Sequence, residues 1–503
     1  MRLLLAAALL ISWQALTQAQ SQAQTLRVAL REDPDILDPT LARTYVGRIV
    51  FMGLCDKLFD INEKLEIVPQ LATGYTWDSP TQLTLSLRDG VLFHDGEKFD
   101  AAAVKATLER HLTLQGSFRR SEIDKIDTIT VVDPLTVRLT LKEPNAPLLA
   151  QFADRAGMIL SPKAIAASGK DFGLKPVCTG PFKFVERVAQ DRIVLERFPQ
   201  YWNAASIKLD RVVYLPIPDS SVRLANLQAG SVDLVEYILP TDVAAVRANA
   251  KLRLVVSDYL GYDGITINVG NGPRAQTPLG QDSRVRRAFE ASLDRQVISD
   301  VVYAGLYTPT VQALPSTSPF YVPEIAPPGR DVAKAKALLK EAGVTPPVSI
   351  VLTVANNPDR RQVAEVIQSM AGEAGFDVKL NVMEFASSLA AEARGDFEAY
   401  MLNWSGRVDA DGNFTQFMRT GASNNHQRYS NPEVDKLLDQ ARTISDVAER
   451  RALYAKMWPL QRQDLPIVYL FTQKNLAGMT TRVGGFRGIA DGMIRLQGLT
   501  LAP

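Results

Sequence analysis

The chain has 503 residues and almost equal numbers of basic and acidic side chains, 56 Lys and Arg against 55 Asp and Glu, which gives a net charge of +1. This balance excludes electrostatic attraction to nucleic acid or to an acidic membrane surface as the basis of its function. Hydrophobic residues make up 46% of the chain, as in ordinary globular proteins. Because the length exceeds what one hydrophobic core usually serves, we expect two or three lobes.

The N-terminal segment predicts secretion. Arg2 provides a positive charge, residues 3–13 form an apolar segment too short to span a bilayer, and small residues follow at Ala19, Ser21 and Ala23. We interpret this leader as a cleavable signal peptide; the alternative is an ordinary N-terminal helix, which would need burial on all sides. No cysteine follows the apolar segment, so no lipid anchor is predicted, and no later apolar run is long enough to cross a membrane.

Strand and helix patterns alternate along the rest of the chain. Thr25–Leu30 is predicted to be the first strand, and Asp100 is expected to cap a helix whose apolar residues recur every fourth position. Segments 129–132 and 137–141 read as two strands joined at Asp133-Pro134, which indicates a hairpin. The region from about 45 to 165 is rich in strands and is predicted to form a subdomain.

The second half of the chain has a more regular alternation. Asp331 is expected to cap a helix, after which strands at 348–354 and Phe376–Met383 flank a helix at 358–374, and a strand at 397–404 closes the series. This order predicts a mainly parallel sheet covered on both faces. Ligands bind outside the carboxyl ends of strands in such sheets, so the segment after Trp404 is the first candidate for a site.

No common catalytic motif is present. The sequence lacks a nucleophile elbow, a phosphate-binding loop, a dinucleotide-binding glycine turn, an H-E-x-x-H helix and a C-x-x-C pair. The histidines are His94, His111 and His426, and their wide separation favours structural roles over a preformed metal site. We therefore predict no enzyme activity, no metal and no cofactor.

The loop after Trp404 carries the candidate polar residues. Asp409 and Asp411 could be paired carboxylates of a glycosidase, but residues two apart in a loop have no defined separation. The alternative is that they satisfy backbone amides or bind a cationic group of a ligand. Trp404 is a candidate pocket wall, with core packing at a strand end as the alternative.

The order of these segments resembles extracellular solute-binding protein family 5, the large periplasmic receptors of peptide- and nickel-type ABC importers. The resemblance covers essentially the whole chain after the leader. The motifs that carry it are Leu37-Asp38-Pro39, Leu71-Ala72 before Trp77, Leu87 to Gly96 (LRDGVLFHDG), Thr179 to Phe184 (TGPFKF), Tyr201-Trp202, Arg284 to Ala288 (RVRRA) with Asp294-Arg295, and the Trp404 loop.

The resemblance implies a two-lobed α/β periplasmic binding protein fold with a hinge and an extra subdomain on the first lobe. Ligand binding between the lobes would shift an open–closed equilibrium that an importer reads. We expect crossing segments near 259–264 and 476–479. The expected bounds are 1–23 for the signal peptide, 24–44, 169–260 and 478–503 for the first lobe, 45–168 for the subdomain, and 261–477 for the second lobe.

Two departures from the family concern the ligand. Where dipeptide and oligopeptide receptors of the family have an Asp three residues after the Trp, which pairs with the ligand's ammonium, this chain has Arg407. Where dipeptide receptors have an Arg just before the loop that precedes the second-lobe helix, this chain has Val354. Arg407 would reject an ammonium and suits a carboxylate or phosphate. Asp409 and Asp411 could restore an amine site nearby, so the predicted ligand is a peptide or a peptide-like acidic solute.

Further candidates follow from the family arrangement. Tyr45, Tyr262 and Asn356 are expected to line the cleft. Cys55 and Cys178 would lie where the subdomain leaves and rejoins the first lobe, in an oxidising compartment, so a disulfide is one expectation and two buried free thiols are the other.

The expected partners are a small-molecule ligand and the permease subunits of an ABC importer in the inner membrane. We expect a monomer in the periplasm that is not embedded in the membrane and binds no nucleic acid. A secreted hydrolase that uses the loop carboxylates, and a periplasmic sensor or chaperone with the same fold, are the competing hypotheses.

Overall fold

A computed structural model describes residues 24–502, so the predicted signal peptide lies outside the described residues. The strands in this range, in chain order, are β1 (Thr25–Leu30), β2 (Phe59–Ile61), β3 (Ile67–Pro69), β4 (Ala72–Ser79), β5 (Gln82–Leu87), β6 (Ile126–Asp133), β7 (Thr136–Leu141), β8 (Phe182–Val188), β9 (Arg192–Arg197), β10 (Arg211–Pro216), β11 (Leu234–Val235), β12 (Leu252–Asp258), β13 (Tyr262–Ile267), β14 (Thr308–Pro309), β15 (Val348–Ala355), β16 (Phe376–Met383), β17 (Ala399–Trp404), β18 (Ile467–Thr472), β19 (Lys474–Thr480), β20 (Val483–Gly484) and β21 (Thr500–Leu501).

Helices separate most of these strands. In chain order they are α1 (Tyr45–Leu54), α2 (Ala101–Thr113), α3 (Arg120–Ile123), α4 (Leu148–Phe152), α5 (Pro162–Ser168), α6 (Ser220–Gln228), α7 (Val243–Ala248), α8 (Pro278–Gln281), α9 (Ser283–Ala291), α10 (Arg295–Tyr303), α11 (Val332–Glu341), α12 (Pro358–Glu373), α13 (Phe385–Arg394), α14 (Asp411–Met418), α15 (Pro432–Arg442) and α16 (Val447–Asp464). Within residues 24–502, no helix combines the length and the apolar character needed to cross a membrane.

The first lobe is built on a seven-stranded sheet with the order β12-β19-β11-β1-β10-β9-β8. Its central strand β1 has the predicted bounds and pairs in parallel with β10 and β11. The helix α1 is buried along its whole length in the core of this sheet. The expected subdomain bounds, 45–168, include this helix, but its apolar side chains pack with the first lobe because they recur on all its faces and need burial all round.

The subdomain is a four-stranded antiparallel sheet with the order β4-β5-β7-β6. The predicted hairpin is confirmed as β6 and β7, which Pro134 and Leu135 connect directly after Asp133, the last residue of β6. The helix α2 packs on this sheet, and the predicted cap is confirmed, since the Asp100 side chain accepts a hydrogen bond from the backbone N–H of Ala103.

The second lobe contains a six-stranded sheet with the order β14-β18-β13-β17-β15-β16. The prediction of a mainly parallel sheet is wrong: β15 pairs in parallel with β16 and β17, but β13 pairs antiparallel with β17 and β18, and β14 with β18. The physical reason is the hinge. Because β13 enters from the first lobe and β18 returns to it, one must run away from the hinge and the other towards it.

The chain crosses between the lobes twice. Residues 259–261, the first half of the expected crossing at 259–264, connect β12 to β13, and residues 262–264 already belong to β13. Gln473 connects β18 to β19. The second crossing lies before the predicted 476–479, because these residues pair along their length with β12 in the first-lobe sheet. The carboxyl ends of β15, β17 and β18 all point towards these crossings, which places the loops that follow β15 and β17 against the first lobe.

Candidate ligand-binding site

The loop after β17 is fitted tightly against the first crossing. Trp404 is the last residue of β17 and pairs with Tyr262 at the start of β13. Gly406 adopts a positive φ of 74°, and a Cβ at this position would collide with the backbone of Leu260. The segment 405–407 is therefore held at a fixed place beside the hinge.

Both lobes enclose a cavity of about 50 Å³ at this place. The residues from the first lobe and the subdomain are Glu32, Arg43, Thr44, Tyr45, Arg119 and Arg155. Those from the second lobe are Phe385, Leu389, Glu392, Leu402, Asn403, Trp404, Ser405, Phe417 and Asn424. Aromatic and aliphatic walls with a few charged side chains are typical of small-molecule sites.

Trp404 lines this cavity, and its role as the wall of a ligand pocket stays a prediction. Its indole Nε1 donates a hydrogen bond of 3.0 Å to Oδ1 of Asn413, and its ring packs edge-on against Phe417. These contacts fix the ring orientation and pack the indole into the core of the second lobe.

Arg407 does not present a free charge to this cavity. Its Nε forms an ion pair with Asp154 of the subdomain, and its Nη1 donates to the carbonyl oxygen of Gly406 at 2.7 Å. Asp154 also accepts from Nε of Arg48 at 3.0 Å. Burial alone would raise the pKa of Asp154, but Arg407 and Arg48 outweigh it and hold that pKa well below its usual range. The hypothesis that Arg407 pairs with a ligand carboxylate thus needs correction, because a protein carboxylate already occupies that role.

A group of four arginines and two carboxylates lies beside the cavity. Arg48, Arg119, Arg155 and Arg407 surround Asp154 and Glu122, and Arg119 pairs with Glu122 at 2.6 Å. With all six groups ionised, four positive charges against two negative ones leave a net charge of +2. We call these six residues the arginine cluster.

Arg155 is the least compensated member of the arginine cluster. It is 1% exposed, its Nη1 donates to the carbonyl oxygen of Ala42 at 2.7 Å, and its Nε has no hydrogen-bond partner among residues 24–502. Burial, and then the neighbouring Arg119, lower the pKa of Arg155 well below its usual value. Because the buried Nε–H of Arg155 has no acceptor among residues 24–502, an anion placed beside it would be stabilised.

The loop carboxylates are satisfied by the protein. Asp409 forms a bidentate pair with Arg450, at 2.7 and 2.5 Å, and Asp411 accepts from the Thr415 hydroxyl at 2.7 Å and lies 3.3 Å from Nε of Arg442. These contacts leave neither carboxylate directed at a ligand ammonium, which corrects the expectation of an amine site here.

Replacing Asp409 with Asn is therefore expected to lower stability without changing ligand affinity. The change leaves the buried Arg450 guanidinium with a neutral partner, at a cost of about 1–3 kcal/mol in the free energy of unfolding. Urea unfolding and calorimetric ligand titration measure the two effects separately. A loss of affinity at unchanged stability would return Asp409 to the binding site.

The other predicted site residues lie in different environments. Tyr45 lines the cavity and its hydroxyl donates to the carbonyl oxygen of Gly492 at 2.8 Å. Tyr262 is fully buried in an aromatic core, with its ring centre 4.8 Å from that of Tyr469, so its expected place in the cleft is wrong. Asn356 is exposed, and the buried neighbour Asn357 faces the first lobe instead.

The histidines lie apart from one another. Nε2 of His94 is 3.0 Å from the carbonyl oxygen of Gly180, Nδ1 of His111 is 2.9 Å from the Thr40 hydroxyl, and His426 contacts Arg43. Among residues 24–502, no group of three or more His, Cys, Asp or Glu side chains is placed to hold a metal ion.

Several contacts bridge the two sides of the cleft. Arg43 pairs with Glu392 at 3.0 Å, the hydroxyls of Ser121 and Ser423 are 2.8 Å apart, and the Gln416 amide donates to Glu122 at 3.1 Å. A hydrogen bond of 2.6 Å also joins the hydroxyls of Tyr237 and Tyr307. Both the first lobe and its subdomain therefore contact the second lobe.

Sequence reasoning missed most of the charged cavity residues. Glu32 was also missed, although a signal for it exists in the sequence. It lies two residues after the carboxyl end of β1, the position at which parallel strands present ligand-binding groups. Arg119 directly precedes α3, and Arg155 begins a short 3-10 turn after α4, so no periodicity distinguishes them from solvent-facing arginines.

Comparison with known proteins gives the family. The profile described as bacterial extracellular solute-binding proteins, family 5 Middle, matches residues 66–426. The glutathione-binding protein GsiB of Pectobacterium atrosepticum is 31% identical over 480 residues, which cover 92% of this chain and 91% of that protein.

Solved structures match over almost the whole chain. The binding protein AgaA in complex with agropinic acid, from A. tumefaciens R10, is 26% identical with a TM-score of 0.88, over 95% of this chain and 99% of that one. The ABC transporter-associated protein DppA of Helicobacter pylori, in complex with the peptide STSA, is 25% identical with a TM-score of 0.87, over 95% and 98%.

The predicted two-lobed α/β fold is thus confirmed, and the hydrolase hypothesis falls because the family binds solutes and is not a family of enzymes. The chain belongs to the bacterial extracellular solute-binding proteins of family 5.

Proposed function

We propose that this chain captures a small acidic, peptide-like solute between its lobes and delivers it to the permease of an ABC importer in the inner membrane. The single observation that carries the ligand chemistry is the net positive charge of the arginine cluster beside the cavity. A buried positive charge without a negative partner costs free energy, so a ligand carboxylate placed near Arg155 would be bound favourably.

The ligands named for similar proteins agree with this chemistry. Glutathione, named for GsiB, carries two carboxylates, and agropinic acid, named for AgaA, is an acid. The DppA relative is described as ABC transporter-associated, which supports an importer as the partner. We infer hinge closure as the mechanism, with residues 259–261 and Gln473 as the crossings that bend.

The ligand proposal predicts that Arg155→Met weakens binding of glutathione by at least about tenfold, because the change removes the guanidinium that would pair with a ligand carboxylate. Arg394→Met is the matched control, because Arg394 is exposed and pairs with the nearby, exposed Asp396. Calorimetric titration of the three proteins measures the ratio. Equal affinities in Arg155→Met and wild type, or binding of cationic peptides in preference to acidic ones, would contradict the proposal.

We further propose that residues 1–23 are removed on export, that the mature protein is a monomer without a lipid anchor, and that the lobes and subdomain follow the bounds given above, with α1 moved to the first lobe. Mass spectrometry of the protein from the periplasmic fraction gives the mature N-terminus. A sensor or chaperone of the same fold would bind ligand yet leave the ATPase activity of the reconstituted importer unchanged, whereas a receptor raises it.

A further inference from the structure

Glu32 is a buried carboxylate that forms no ion pair with any of residues 24–502. It lines the cavity, is 5% exposed, and its Oε2 has no hydrogen-bond partner among residues 24–502. The preceding residue, Arg31, is held elsewhere, because its guanidinium forms a bidentate pair with Glu236 at 2.8 and 2.9 Å. Burial raises the pKa of Glu32 to about 7, with Arg360 as the largest opposing influence.

Arg360 is the opposite charge across the cleft. It is the third residue of α12, is 7% exposed, and lies with its guanidinium carbon 5.4 Å from the ring centre of Phe385, a cavity residue. Its Nη1 has no hydrogen-bond partner in the described part of the chain. Asn357, which precedes this helix, is 6% exposed and has an Oδ1 that is likewise without a partner.

These two charges influence each other but do not meet. Burial alone would lower the pKa of Arg360, but the carboxylates of Glu32, Asp359 and Asp263 outweigh it and raise that pKa above its usual value. Yet the described residues include no ion pair between the two side chains, although each is nine-tenths buried. An unpaired buried charge on each side of one cleft is costly unless a further group is placed between them.

We propose that Glu32 and Arg360 form a subsite for an amino-acid head group, in which an ammonium and a carboxylate share one carbon. Glu32 takes the ammonium, and Arg360, at the positive end of α12, takes the carboxylate. This rests on the proposed function, in which a second carboxylate of the same ligand lies near Arg155. The substrate class is therefore amino acids conjugated through their side chain, such as γ-glutamyl compounds, rather than α-linked peptides.

Three probes isolate the two charges of the head group. γ-Glutamylglycine carries both, glutarylglycine lacks only the ammonium, and γ-aminobutyrylglycine lacks only the carboxylate on that carbon. The wild-type protein is expected to bind the first at least about tenfold more tightly than either of the others. Glu32→Gln should remove the preference over glutarylglycine alone, and Arg360→Met the preference over γ-aminobutyrylglycine alone.

Exposed neighbours provide matched controls. Arg361→Met and Glu63→Gln change exposed residues of the same types and should keep both preferences. Thermal unfolding of each variant shows that it is folded. Retention of both preferences in Glu32→Gln and Arg360→Met, with binding still sensitive to Arg155→Met, would overturn this subsite alone. Failure of every acidic probe to bind wild type would overturn the proposed ligand class as well.

The preference over glutarylglycine is also expected to depend on pH. Glu32 is faced by Arg31, Arg360 and Arg223 and by the carboxylate of Glu236, of which the arginines stay charged throughout. Because Glu32 pairs with an ammonium only when ionised, the preference should increase as the pH rises through about 7. A preference that is flat with pH and unchanged in Glu32→Gln would overturn the role of Glu32.

Discussion

Replacing Asp154 with Asn is expected to hold the two lobes apart and to lower ligand affinity by about a hundredfold or more. In the structure its carboxylate lies between Arg48 of the first lobe and Arg407 of the second, and all three side chains are buried. Breaking a buried pair by removing one partner costs about 3–5 kcal/mol, and about 1.4 kcal/mol is a factor of ten in affinity. When the lobes separate, Arg407 is solvated by water. The broken ion pair therefore destabilises the closed state relative to the open state more than it destabilises the folded protein.

Small-angle scattering and calorimetry measure the two consequences of this change, the larger radius of gyration with ligand and the weaker binding. Asp377→Asn is the matched control, because Asp377 is exposed and pairs loosely with Lys379 at 3.6 Å. In the double variant Asp154→Asn with Arg407→Met, part of the affinity should return, since an apolar side chain no longer needs a buried partner. Full closure and unchanged affinity in Asp154→Asn would contradict the assignment of Asp154 as the ion-pair bridge between the lobes.

Loss of the disulfide is expected to have the second-largest effect. In the structure Cys55 and Cys178 are bonded, with their Cα atoms 4.9 Å apart and a sequence separation of 123 residues. Cys55 follows α1 and Cys178 precedes Gly180, whose N–H donates to the carbonyl oxygen of Leu54 at 2.9 Å. The bond therefore joins the two chain segments that connect the subdomain to the first lobe.

The double variant Cys55→Ser with Cys178→Ser should lose about 2–4 kcal/mol in the free energy of unfolding, because the unfolded chain regains the freedom of a long loop. Urea unfolding with and without a reductant measures this loss, and the reductant should have no effect on the variant. Thiol titration of the denatured, unreduced wild-type protein should find no free thiol. Two free thiols per chain would show that the cysteines are merely packed together.

The local elements were predictable because their signals are local. The strand β1 and the strand β16 have the predicted bounds, and the Asp331 side chain accepts from the backbone N–H of Lys334 as the expected cap. Hydrophobic periodicity and capping depend on residues within a few positions of each other, so one sequence is enough to recognise them.

The candidate site was less predictable because its charges pair over long distances in the chain. Arg407 reads as a free cation in sequence, and only the fold brings Asp154 of the subdomain against it. Asp409 reads as a loop carboxylate, and its partner Arg450 lies one helix further on. The prediction of parallel strands in the second lobe was wrong for the same reason. The position of the hinge decides the strand directions, and the alternation of strands and helices in the sequence does not show where the hinge lies.

The Asp154–Arg407 contact also limits how this receptor can diverge during evolution. A single substitution at either position leaves the other charge buried and unpaired, so the intermediate sequence loses closure before any new specificity is gained. The two positions should therefore vary together among orthologues. Glu32 and Arg360 make no such pair with each other, so either one is free to change alone when a lineage acquires a different solute.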